Sequence, residues 1–432
     1  MKSLPILLAL TATASAEPRK LTFASAIDLT MQKSPDLASA QADVDAAKAR
    51  AEQPSRKRLP SLNVNVFGYL YTEPYVLAFG MLGNFTLHKQ QTSITNVQLV
   101  QPLTGLAYLS ELVGAAEHEE AAARADYDRA RLDAAYGTAE AFIRALEAHA
   151  AADVAHRSVA DIAAELDRAQ KLREADTLTN VDVLRLQSAK AQSDQQAVRG
   201  DTSAEIALAS LAVTIGLHDG EAVEVADDLP ATPPPMALSL DQAIQRGTET
   251  RPELRGAREH LAATGDIVTS KKEEYLPNIN ANATWIHTTG LEPFQPANEE
   301  YIGLSLQWKV WDWGSIYGEI KEAQANNRRA QIATGTLVDH VRLDVRRNWL
   351  DAKAGFDNLA SSQVQLQTAE EAYRLQSVKF ENGAATTTDV LDAETEVARA
   401  RLRSALARYD YYLALVALAR SVGDVPNVAA AH

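Results

Sequence analysis

At 432 residues, 46% hydrophobic and 23% charged, the chain is long enough for two or three ordinary domains and has the apolar content of a folded protein. Its formal net charge of −15 argues against a nucleic-acid partner, which would call for a basic face. There is no cysteine, which excludes a disulfide framework and an acylated N-terminal cysteine.

The chain opens with Lys2, a short apolar core and the small-residue run Ala14-Ser15-Ala16. That pattern marks residues 1–16 as a secretory signal peptide cut before Glu17. No later run of 18 or more apolar residues follows, so a membrane could be entered only as a closed β-barrel.

The rest of the chain is written twice. Residues 21–27 (LTFASAI) match 238–244 (LSLDQAI), and Leu59-Pro60 with Asn63 and Asn65 match Leu276-Pro277 with Asn280 and Asn282, 217 residues on. At a slightly shorter offset Gln98 and Gly105 fall on Gln307 and Gly314, and Asp182-Val183-Leu184 falls on Asp389-Val390-Leu391. Order kept over such a span indicates a tandem duplication. The expected parts are a first repeat over 17–229, a stiff Pro-rich linker over 230–237, a second repeat over 238–425 and a tail over 426–432.

Each repeat should begin with a helix bent near its proline, Pro35 or Pro252. Two strands follow, at about 61–72 and 92–101 in the first repeat and about 278–288 and 300–311 in the second. Ile302, Leu304, Leu306, Trp308 and Val310 alternate with Gly303, Ser305, Gln307 and Lys309. Such alternation over roughly ten residues, with aromatics near the ends, is the signature of a membrane barrel strand. A soluble sandwich alternates likewise, but its strands usually run shorter. Four strands are too few, because the smallest closed membrane barrels have about eight. Copies must therefore pool their strands.

Long Ala-, Glu- and Arg-rich runs follow each strand pair and read as helices on the order of 100 Å long. Each pair of helices turns at a tip, at about 172–180 and about 380–388. In the second, Gly383 supplies a left-handed stop and Thr386 to Thr388 the hydroxyls that cap the next helix. Leu359, Leu366, Tyr373 and Phe380 lie seven apart, a coiled-coil spacing.

No catalytic constellation emerges: there is no HExxH, P-loop, G-x-S-x-G or cysteine nucleophile, and no cofactor or metal site is expected. His149 and His156 share a helix face but lie two turns apart, as polar surface residues do. Asp389 and Asp392 share a face of the helix after the second tip. Asp389 fits a capping box, Thr386-Thr-Thr-Asp389. Asp392 is poorly explained by capping, and near a symmetry axis both would form carboxylate rings that select or bind cations.

In the repeated Leu-Pro strand entries, Gln101-Pro102-Leu103 and the twin tips, the chain resembles the TolC-like outer-membrane efflux protein family over nearly its whole mature length. The resemblance is most specific from Gly383 to Thr388 into Asp389-Val390-Leu391-Asp392. It implies an α+β membrane protein of duplicated strand pairs and long helical hairpins. Three copies would form a trimeric 12-stranded β-barrel in the bacterial outer membrane, continued by a periplasmic α-helical barrel.

It further implies a non-enzymatic, passive exit duct of an efflux or type I secretion system, opened by a periplasmic adaptor and an inner-membrane transporter. Asp389 and Asp392 would be the gate. Leu172, Arg173, Asp176, Thr177, Phe380, Asn382, Gly383 and Ala384 would meet the adaptor. Two departures from the family pattern are Ala175-Asp176, where a Val-Gly pair is common, and Ala385, where some relatives carry an arginine. The reading from another class is a periplasmic coiled-coil scaffold without a pore, which leaves the four amphipathic strands unexplained.

Overall fold

The computed structural model describes residues 19–217, 221, 223–291 and 295–426. The signal peptide and residues 427–432 of the expected tail lie outside them. The chain forms two compact units, one comprising the chain up to Ala40, Asp128–Pro252 and Val338 onward, the other Gln41–Tyr127 and Glu253–Leu337. Each unit therefore draws on both halves of the sequence.

The second half repeats the helices and the main sheet strands of the first, without its short hairpin. After a short strand, β1 (Arg19–Leu21), come α1 (Phe23–Lys33) and α2 (Pro35–Arg56). The first half then has β2 (Ser61–Leu70), β3 (Tyr75–Ala78), β4 (Asn84–His88), β5 (Gln91–Pro102), α3 (Gly105–Glu174), α4 (Asn180–Ile215) and β6 (Val223–Val225). The second half has α5 (Leu240–Thr250), α6 (Pro252–Glu273), β7 (Asn278–Thr289), β8 (Asn298–Gln307), α7 (Ser315–Glu381) and α8 (Thr387–Ser421).

Helices α1 and α5 are both 11 residues long, α2 and α6 both 22. Their starts are written in the sequence. The Thr22 hydroxyl accepts from Ser25 N–H and the Ser25 hydroxyl from Thr22 N–H; Ser239 and Gln242 repeat that capping box. Ser34 and Arg251 are extended, as a residue before proline prefers, and the prolines open the next helix.

The second unit holds an antiparallel four-stranded sheet in the order β2-β5-β7-β8. Its register carries one apolar face across all four strands: Leu62, Leu99, Ala283 and Ile302 lie side by side. The opposite face is polar, with Asn63, Gln98, Thr284 and Tyr301 in one row. The apolar band is diagonal. On β2 it runs up from Leu62 through Val64 and Val66, whereas on β8 it runs the other way, through Leu304 and Leu306. Little covers it, for Leu62, Val66, Ile302 and Leu304 are 66%, 66%, 88% and 74% exposed.

Pairing also corrects one alignment. Gln98 faces Asn63, and Ser305 faces Asn280, the counterpart of Asn63. The structural counterpart of Gln98 is thus Ser305 and not Gln307. The β3–β4 hairpin, joined through a single 3-10 turn at Gly80–Leu82, occupies the stretch between the two expected strands of the first repeat.

In the first unit, β1 pairs with β6 in parallel, and Phe23 and Phe142 meet edge to face at 5.7 Å in a core that also buries Ile143, Leu211 and Tyr412. The Pro-rich linker is held against α8. Tyr412 and Tyr411 donate to the carbonyls of Pro230 and Pro234 at 2.6 and 2.7 Å, and Arg408 forms a bidentate pair with Asp227 at 2.8 and 3.0 Å. Among the described residues no helix is long and apolar enough to cross a membrane.

Candidate functional site

Both hairpin tips lie in the first unit and are built alike. At the end of α7, Gly383 is left-handed (φ 69°), and Ala384 N–H reaches back to Lys379 O at 2.7 Å. At the end of α3, Asp176 takes the same conformation (φ 57°), and Thr177 N–H reaches Leu172 O at 3.0 Å. Both are Schellman stops. Aspartate is among the few side chains that enter this region as single residues, so the tip keeps its shape without glycine.

Helix α8 starts on a full capping box. Asp389 N–H donates to the Thr386 hydroxyl at 3.2 Å, and Thr386 N–H donates to Asp389 Oδ2 at 2.8 Å. The Thr386 hydroxyl and N–H together hold the Asp389 carboxyl below its ordinary value. A depressed acid stabilises above its unfolded value, about pH 4, and that contribution is lost as pH falls through the lower folded value. Asp392, exposed on the next turn, has no hydrogen-bond or ion-pair partner among the described residues. Capping explains Asp389 and leaves Asp392 without a structural role.

Between the tips lies a small apolar core of Ala169, Val183, Leu186, Phe380 and Val390. Phe380 is only 1% exposed, so its ring anchors this core and does not belong with the surface-contact residues. Arg173, Asp176, Thr177, Asn382, Gly383 and Ala384 are exposed, and Leu172 is half-buried. Arg185 on α4 reaches across to the Thr388 hydroxyl at 3.4 Å.

Behind the tips, α3 is tied to α7 by a group that has no local sequence signal. Glu165 is 1% exposed, and its Oε1 accepts from Ser377, from Arg168 at 2.7 Å and from Tyr373 at 3.2 Å. Its Oε2 is buried with no hydrogen-bond partner among the described residues. Burial, followed by the charges of Glu165 and Asp161, pushes the Tyr373 hydroxyl well above its ordinary value, which keeps it a donor. Nearby, Arg401 on α8 bridges Asp161 at 2.6 Å and Glu370 at 3.4 Å. Carboxylates from α3 and α7 thereby meet one guanidinium on α8.

Glu394 on α8 is 5% exposed and accepts from Ser158 at 2.5 Å. Burial raises its carboxyl above the ordinary range, partly offset by the Ser158 hydrogen bond. A raised acid binds its proton more tightly in the folded state, so stability falls as pH rises from about 4.3 through the raised value. Glu394→Gln should therefore raise the melting temperature at pH 7 and change it little at pH 4. Thermal scans at the two pH values check this; equal shifts would show that packing, and not charge, sets the difference.

His149 and His156 face separate carboxylates, Asp153 at 3.6 Å and Asp201 at 2.9 Å, on exposed surface. No group of three or more histidines and acids able to hold a metal occurs among the described residues.

The family model described as outer membrane efflux protein matches residues 26–217 and 243–424. The two segments begin 217 residues apart, the spacing of the internal repeat. The outer membrane efflux protein BepC of Brucella suis is 22% identical over 187 residues, a match that takes in 43% of this chain and 41% of that protein. The chain thus spans less than half the length of that relative. Among solved structures, the outer-membrane channel OprN superposes with a TM-score of 0.80 at 19% identity, covering 94% of this chain and 90% of that one. The outer membrane protein VceC of Vibrio cholerae gives 0.80 at 17% identity, covering 94% and 97%. The fold is that of these largely helical outer-membrane channels, and the chain belongs to the outer membrane efflux protein family.

Proposed function

We propose that three copies of this chain form an exit duct in the outer membrane, passive and non-enzymatic, as the outer-membrane component of a tripartite efflux system. The observation that carries this reading is the open sheet. Strands β2 and β8 each leave one edge without a ladder partner among the described residues, and one sheet face is apolar and bare. An exposed hydrophobic edge strand in water invites aggregation. In a closed barrel the edges vanish, the apolar face meets lipid and the polar face lines a wet lumen. Because strands tilt in a barrel, a level lipid belt cuts neighbouring strands at different heights, which is the diagonal seen here.

The helices agree with assembly. Leu343, Leu350, Val364 and Val378 stand at heptad multiples along α7 and are 46–64% exposed. On α4, Leu184 and Val198, two heptads apart, are exposed as well. Apolar stripes at coiled-coil spacing call for partner helices. Twelve strands from three copies would make one barrel, and the long helices its periplasmic continuation.

In such an assembly the tips would bring Asp389 and Asp392 of each copy around the axis as two carboxylate rings. The exposed tip residues would meet a periplasmic adaptor joined to an inner-membrane transporter. The Glu165–Ser377–Tyr373 tie would hold the tip shut, and splaying α7 and α8 would require breaking it.

Carbonate washing and bilayer recording test the reading together. The membrane-borne protein should resist carbonate, need detergent for release and give stepwise conductance in a planar bilayer. A protein that washes off and conducts nothing would instead be a periplasmic scaffold.

A further inference from the structure

The duplication specifies how the two free sheet edges meet, given the assembly proposed above. At the centre of the sheet, β5, the second strand of the first half, already pairs with β7, the first strand of the second half. The chain thus contains one half-to-half junction. The missing junction joins the second strand of the second half, β8, to the first strand of a first half, β2, on another copy.

Each strand can be carried onto its counterpart. Strand β7 maps onto β2 by 217 residues, as Pro277 maps onto Pro60. Strand β5 maps onto β8 by 207, because Gln98 and Ser305 face the equivalent residues Asn63 and Asn280. The same 207 separates Asp182 from Asp389. Within the chain Leu99 faces Ala283, Gln101 faces Ala281 and Val97 faces Trp285. We propose that β8 of one copy pairs antiparallel with β2 of the next, with Leu306 opposite Val66, Trp308 opposite Val64 and Leu304 opposite Gly68.

Three observations that did not enter the mapping favour this register. It sets apolar against apolar, and on the other face Gln307 against Asn65. A shift by one residue would turn every side chain to the wrong face. Gly68 has open space where a side chain would stand, and Leu304, which would lie beside it, is 74% exposed. Finally, the ladder of β8 stops at Gln307, although its alternation continues through Trp308 and Val310, which are 54% and 71% exposed. Its counterpart β5 continues to Pro102, which maps to residue 309. A neighbour's β2 would supply the partner that lets β8 extend that far.

Because the chain has no cysteine, engineered pairs report without background. Leu306→Cys is combined in turn with Val64→Cys, Val66→Cys and Gly68→Cys, and the detergent-extracted protein is oxidised. Directly opposed strand residues lie about 4.5–5.5 Å apart, within disulfide reach, while those offset by two lie about 7–8 Å apart, beyond it. Covalent dimers and trimers should be several-fold more abundant with Val66→Cys than with either neighbour. Gln307→Cys with Asn65→Cys, on the polar face, should cross-link as well and guards against a misfolded first pair.

A maximum at Val64→Cys or Gly68→Cys would overturn the register. Absence of cross-linking in all pairs, in a protein that native mass spectrometry counts as three copies, would overturn the edge pairing and leave the trimer standing. Absence in a monomer would remove the assembly itself.

Discussion

Replacing Asp389 and Asp392 together by Asn is expected to weaken channel block by multivalent cations on the order of 100-fold or more while the assembly forms normally. Six carboxylates at a narrow opening attract a trivalent ion far more strongly than any one alone, and part of that attraction survives salt because the ion must pass within a few ångströms. Asparagine keeps a carbonyl that can still accept from Thr386 N–H, so α8 should start normally. Asp389→Ala would confound the test, since it removes the cap as well as the charge. The single variants separate the two roles: Asp392→Asn should carry a large share of the loss with no change in stability. Bilayer recordings with and without a trivalent cation read this directly, and unchanged block in the double variant would show that the carboxylates do not line the opening.

Cutting the Glu165 tie should have the second large effect, on the resting state and not on cation block. Glu165→Ala leaves Tyr373 and Ser377 facing a cavity without their acceptor, at a cost of about 1–3 kcal/mol for each unsatisfied polar group. Arg168 is partly exposed and can turn to water, so its loss adds little. If the tie is intact only in the shut state, 1.4 kcal/mol or more of lost stabilisation shifts the balance toward open on the order of tenfold or more. Higher resting conductance and greater sensitivity of cells to a large polar antibiotic are the expected signs. Glu165→Gln, which keeps an acceptor but not the charge, should fall between. Lower stability with unchanged conductance would mark the tie as a structural strut and not a latch.

The contrast between these two sites shows what a single sequence reveals. The second tip is local: a glycine, three threonines and an acid within seven residues specify a stop and a cap, and the structure has both. The strands were legible because period-two alternation is also local, as with Ile302, Leu304 and Leu306 against Gly303 and Ser305. The tie is not local. Glu165 is 212 residues from Ser377, and nothing around either residue distinguishes it from the many charged and small residues of a long helix.

Phe380 sits at a heptad position and also at the tip; only packing decides that it points inward. The β3–β4 hairpin carries little sequence signal because each strand is only four or five residues long and the turn between them carries Gly80 and Gly83. The two-residue slip between Gln98 and Gln307 arose because matching residue types do not ensure matching register; hydrogen-bond pairing resolves it.

Native mass spectrometry of the detergent-extracted protein tests the central claim most directly. Three copies per particle are expected, the number that brings twelve strands together and places every Asp389 and Asp392 around one axis. A monomer, or a protein soluble without detergent, would contradict the barrel and with it the duct.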